Sequence, residues 1–126
     1  MTEQQFKDRT KQLALAVLRV ADELPPGRLN SILAGQLVRA ATSVGANYRA
    51  ACRARSTPDM ISKLGIVEEE ADETLYWLDL LVESGRLPDL RVEPLRREAN
   101  DLLAMTVASI KTLRARRQTP LQNPKI

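Results

Sequence analysis

Two stripes of polar side chains carry the residue types that could do chemistry. Arg39, Ser43 and Asn47 recur at four-residue steps, and Glu70, Glu73 and Trp77 at steps of three and four. On helices each set shares one face. If the chain reverses near Thr57, antiparallel pairing sets Arg39 opposite Glu73 or Trp77 and Ser43 opposite Glu70, which predicts a buried polar ladder. An arginine with two carboxylates and an amide can close forked hydrogen bonds that fix helix register. The same groups could instead line a functional polar pocket. The residue types favour the structural ladder.

The acidic run Glu68, Glu69, Glu70, Asp72 and Glu73 invites a carboxylate metal site of the ferritin-like kind. Such a site takes Glu-x-x-His from two helices, and the chain has no histidine. The first two helical segments also offer almost no inward carboxylates, so no metal and no other cofactor is expected. Ser43 and Cys52 have no imidazole to act as base, and no Gly-rich phosphate loop is present; the chain reads as a non-enzyme. Cys52, the one cysteine, excludes an internal disulfide and a Cys-based zinc site and fits a reducing cytoplasm. Arg49, Arg53 and Arg55 around it could lower its pKa, but a small residue on a helix is the simpler reading.

The third chemistry-bearing group is basic. Formal charge is +3 and the sequence pI about 9.4, an excess whose meaning depends on where it collects. Candidate phosphate-binding residues are Arg49, Arg53, Arg55, Lys63, Lys111, Arg114, Arg116 and Arg117, with Lys7, Arg9 and Lys11 near the N-terminus. The elements decide whether these meet.

Apolar residues make up 44% of the 126 and aromatics only 3%, a Leu/Ala composition suited to packed helices. Phe6, Leu13, Val17, Val20 and Leu24 form one helical face that Pro25-Pro26-Gly27 ends. A second ladder runs from Leu29 through Leu37, Ala41, Val44 and Tyr48 to about Arg55. Ser56-Thr57-Pro58 starts a third, which Ser84-Gly85 and Pro88 close. Leu95, Leu102, Leu103, Thr106, Ile110 and Leu113 make the fourth. The spacing predicts helices at about 4–23, 29–55, 58–84 and 91–117 in one domain, 1–118, with a disordered tail at 119–126. Short connections between long helices give an all-α, antiparallel up-down-up-down four-helix bundle. That topology gathers the start of helix 1, the end of helix 2, the start of helix 3 and the end of helix 4 at one pole, and with them the candidate cations. Acids there are few: Glu3, Asp8 and Asp59. Clustered Lys and Arg would bind phosphates without sequence preference; against this, cations at the ends of helices 2 and 4 also suit the helix dipole, and no aromatics interleave them to stack bases.

Within helix 2 the run Ala40 to Asn47 is built of small residues, and Gly45 costs about 1 kcal/mol of helix propensity relative to alanine. Close approach of a neighbouring helix, in the bundle or in a second subunit, is the expected compensation; backbone approach by a ligand is the alternative. Tyr76 and Leu80 lie off the main stripe of helix 3, leaving an apolar patch that a second subunit could cover. Met1 to Lys11 is too polar for a signal peptide, and no apolar run is long enough to span a membrane, so a cytoplasmic protein is expected.

The segments Arg39-Ala40-Ala41-Thr42-Ser43-Val44-Gly45-Ala46-Asn47-Tyr48-Arg49-Ala50-Ala51 and Glu70-Ala71-Asp72-Glu73-Thr74-Leu75-Tyr76-Trp77-Leu78, in that order and at that separation, resemble the 23S rRNA-intervening-sequence proteins. That resemblance extends from Phe6 to about Arg117, and the family's bundle is similar to the accessory variability determinant of diversity-generating retroelements. It implies a ring-like homopentamer with a positive surface that binds DNA or RNA, and no enzyme activity. Arg39, Ser43, Asn47, Glu70, Glu73 and Trp77 match the family's polar positions. Ala50 stands where the family often has an acid, and Met60 where an aromatic is common. The resulting expectation is a homo-oligomeric nucleic-acid-binding accessory protein; the rival is a scaffold bundle that contacts proteins only.

Overall fold

The computed structural model describes residues 1–118; the expected disordered tail at 119–126 lies outside them. Four helices account for the described secondary structure: α1 (Glu3–Asp22), α2 (Arg28–Cys52), α3 (Thr57–Glu83) and α4 (Asp89–Gln118). Thr2 opens α1 through reciprocal capping, its hydroxyl accepting from the Gln5 N–H at 3.1 Å while its own N–H donates to Gln5 Oε1 at 2.8 Å. Ser56 caps α3 by accepting from the Asp59 N–H at 3.2 Å, with Pro58 in the first turn. Gly85, at φ +78°, ends α3 in the left-handed conformation, and the Arg86 N–H returns to the Leu81 carbonyl at 2.9 Å.

Two boundaries differ from expectation for identifiable reasons. Helix α2 stops at Cys52, three residues before Arg55, because the chain must already be extended at Ser56 (φ −151°, ψ 159°) to cap α3. At the other boundary, α4 begins at Asp89 and runs through Pro94. Pro94 removes the N–H that would bond the carbonyl of Leu90, a residue 86% exposed, so water can satisfy that oxygen.

Each helix packs against its chain neighbours, and α1 meets α4 to close the bundle. Leu13, Val17 and Val20 of α1, Leu37 and Ala41 of α2, Leu78 and Leu81 of α3, and Val92, Leu95, Ala99 and Leu102 of α4 form the main core. Toward the end where α2 meets α3 the core continues through Val44, Val67 and Ala71, then Ala51, Leu64 and Ile110. Buried Thr10, Thr74 and Thr106 each donate to a carbonyl three or four residues back on their own helix. Gly45 sits at a close approach of α1 and α2: a Cβ there would lie 3.0 Å from Thr10 Oγ1 and 3.3 Å from Thr10 Cβ. The glycine accommodates a neighbouring helix of the same bundle.

Candidate nucleic-acid interface

The end of α2, the start of α3 and the end of α4 are joined by the Ala51–Leu64–Ile110 cluster, with Tyr48, Met60, Ile61 and Leu113 packed around it. Phe6 ties the start of α1 to the same end through Tyr48, with ring centroids 4.2 Å apart. Arg49, Arg53, Arg55, Lys111, Arg114 and Arg116 are exposed at this pole, Lys63 is half-buried, and Arg117 lies in the last turn of α4. None of the seven from Arg49 to Arg116 forms an ion pair with a described residue.

The opposite pole treats its arginines differently. Arg91 of α4 grips Glu23 at the end of α1, and that hydrogen bond holds the exposed Glu23 carboxyl below the usual carboxylate range. Arg96 is shared among Asp79 at 2.9 Å, Asp89 at 3.1 Å and Glu93 at 2.5 Å. At that end Arg91 and Arg96 are thus neutralised locally while the exposed Arg19 and Arg28 are not, whereas at the basic pole none of the seven cations is paired with a described residue. Arg9 departs from the pooled cations of the sequence: its guanidinium makes a forked bond to Glu98 and lies 3.6 Å from Asp101, both on α4. From Glu98 to Lys111 is roughly 20 Å of helix, whereas α1 continues only about 9 Å from Arg9 to its start. The last turns of α4 thus run past α1 and carry Lys111, Arg114 and Arg116 into solvent.

The polar stripes also meet, in a shifted register. Arg39 bonds Glu70 at 3.3 Å and, closely, Glu73, whose Oε1 also accepts from the Trp77 indole N–H at 3.2 Å. Because α2 ends early, the reversal centres on Ala54 and Arg55 instead of Thr57, which moves Glu70 rather than Trp77 across from Arg39. Ser43 does not meet Glu70; its carbonyl accepts from Asn47 Nδ2 at 2.9 Å. Nor is the set buried: the Arg39 side chain is 46% exposed and that of Glu73 38%. Exposed pairs of this kind contribute about 0–1 kcal/mol. The apolar ladder of helix 2 already carried the signal, since its Leu37, Ala41 and Val44 side is the one that faces inward, with Ala40.

Among known proteins, the model of the 23S rRNA-intervening sequence protein family matches residues 2–108. The chain belongs to that family. A similar solved structure is a protein of unknown function from the S23 ribosomal protein family of Bacteroides thetaiotaomicron, 30% identical, covering 88% of this chain and 99% of that one at a TM-score of 0.81. No curated protein matches the chain. Neither the family description nor that of the solved structure names a reaction. Among the described residues no group of His, Cys, Asp and Glu is placed to hold a metal ion. Nor, among the described residues, is any helix long and apolar enough to cross a membrane.

Met60, where an aromatic was the family expectation, packs against the Ala51–Leu64–Ile110 cluster. Cys52 corrects the idea of an arginine-activated thiolate: burial raises the thiol pKa, a contribution that outweighs its hydrogen bond with Tyr48, and the nearby arginines do not reverse it. The neutral thiol is therefore the form present at pH 7. We expect Cys52 in the folded protein to alkylate more slowly with iodoacetamide at pH 8 than a free cysteine, and to reach the free rate on unfolding; alkylation faster than free cysteine would contradict the burial argument.

Proposed function

We propose that this 23S rRNA-intervening sequence family member is a non-enzymatic, cytoplasmic, homo-oligomeric bundle whose basic pole binds the phosphate backbone of RNA or DNA without sequence preference, as an accessory to larger machinery. The observation that supports it most is the cluster of exposed cations at one pole: Arg49, Arg53, Arg55, Arg114 and Arg116 stand there without ion-pair partners among the described residues, while at the other pole Arg91 and Arg96 are held by carboxylates and Arg19 and Arg28 are free. An unpaired cluster of arginines can exchange counterions for phosphates, and the gain needs no base contacts. Anisotropy measurements with unrelated RNA and DNA oligonucleotides at low salt should give affinities that differ little with sequence. Binding to none of them would remove this reading.

A second reading has its own observation. Leu15 and Leu18 of α1, Leu29 and Ile32 of α2 and Tyr76 of α3 are exposed by more than a third, so a protein-interaction scaffold with no nucleic-acid role is the alternative, and partner capture that survives nuclease treatment would favour it. The same residues support self-association, with five subunits the number the family resemblance implies. Light scattering at micromolar concentration should therefore return a multiple of the 14.1 kDa chain mass. A strictly monomeric species would refute the oligomer.

A further inference from the structure

We propose that the trough between α1 and α2, on the flank of the basic pole, is a discrete phosphate-binding site. Lys7 and Lys11 rise from its α1 wall and Arg49 from its α2 wall, around a volume of about 490 Å³. Small-molecule sites occupy about 300–1,000 Å³. The trough exists because its floor is small: Gly45 has no side chain, and Ala46 and Ala14 add only a methyl each. The hydroxyls of Thr10 and Thr42 already donate to carbonyls of their own helices, at 2.8 and 2.7 Å, which leaves the two lysines and the arginine as the donors an anion would meet.

The charges support the same ligand. Lys11 and Arg49 have no ion-pair partner among the described residues, and Lys7 has only an exposed i,i+4 pair with Glu3 at 3.3 Å, which competes weakly. Asp8 on the rim opposes them, its carboxylate engaged by Gln4 Nε2 at 2.9 Å, and the balance stays positive. Lys7 and Lys11 stand one helical turn apart, about 6 Å along the axis, so they can hold neighbouring phosphates of a polyphosphate or of a single strand. Phosphate is the shared chemistry, whether from a nucleic-acid backbone or a free nucleotide. The inference rests on reading the pole as a phosphate-binding surface, to which it adds a discrete site on the α1–α2 flank.

The test follows backbone amide shifts of the full chain during titration with ATP and, separately, with a thymidine oligonucleotide. Both probes should shift Thr42, Ala46 and Arg49. Ala46→Trp fills the trough from an exposed position, and Lys11→Glu reverses one charge without adding bulk; each should weaken both probes at least about tenfold while leaving the helical signal unchanged. An Arg114→Gln/Arg116→Gln variant should keep its ATP affinity. Oligonucleotide binding that is lost in the arginine variant but intact in Ala46→Trp and Lys11→Glu would overturn the trough and leave the proposed function standing. ATP shifts in the trough with no oligonucleotide binding would uphold the trough and overturn the nucleic-acid reading. Absence of shifts with either probe would overturn both.

Discussion

Changing Arg53, Arg114 and Arg116 together to glutamine is expected to weaken binding to duplex DNA by roughly one hundred- to five-hundredfold at 0.1 M salt and to flatten the slope of log K against log salt by about 2.7. Each phosphate contact contributes about 0.9 to that slope in B-DNA, so three lost contacts give the second figure, and extrapolation to 1 M salt gives the upper range of the first. Losing three charges would weaken any protein's attraction to DNA, so the comparison that matters is Arg19→Gln, Arg28→Gln and Arg91→Gln at the opposite pole. That variant has the same net charge, and its affinity should fall by only a fewfold through the long-range field. Equal losses in the two variants would mean that the pole is not the contact surface.

The largest stability effect is expected at the α1–α2 contact. Gly45→Val should destabilise the fold by about 2 kcal/mol, in the range measured for overpacking, lowering Tm by roughly 6–10 °C for a domain of this size. The reason lies in Thr10. It is 1% exposed, its Oγ1 is held by the Lys7 carbonyl at 2.8 Å, and it stands 3.0 Å from where any Cβ at 45 must go. A β-branched side chain fixed by burial and a hydrogen bond cannot yield easily. Gly45→Ala is the sharper probe, because its gain in helix propensity of about 1 kcal/mol is set against the same contact. In a Thr10→Ala background the alanine should be worth about 1 kcal/mol more than in the native one. Additivity of the two substitutions would show that α1 and α2 are not in close contact there.

The legible part of this fold is its punctuation. Pro25-Pro26-Gly27, Ser56 with Pro58, and Gly85 with Pro88 divide the chain into helices because each acts locally, through a missing N–H, a side-chain cap or a left-handed φ. The end of α2 was not legible, since Arg53-Ala54-Arg55 are good helix formers and what stops them is the need to reverse into the Ser56 cap. The expected Arg39–Glu73 pair forms, and the register shift that brings Glu70 rather than Trp77 to Arg39 and leaves Ser43 apart from Glu70 follows from that early end. Arg9 was misplaced for a different reason. Its partners Glu98 and Asp101 lie far along the chain and become neighbours only when α1 closes against α4.

For the candidate interface, topology sufficed to gather the cations at one pole, because an up-and-down bundle leaves no other arrangement of its ends. Sequence could not show which of them lack partners, since ion pairs such as Arg91 with Glu23 cross between helices. The trough was equally hidden. It requires the small residues of α2 to face outward beside Lys7 and Lys11, a relation set by packing rather than spacing.

The most direct test of the central claim is the affinity of the unmodified protein for duplex DNA and single-stranded RNA across a salt series, with its mass determined on the same samples. Binding in the micromolar range or tighter at low salt, falling linearly in log K against log salt with a slope of about −3 or steeper, is the predicted result for an oligomer presenting free arginines to phosphates. A protein that remains unbound at low salt, or whose binding is indifferent to salt, would contradict it.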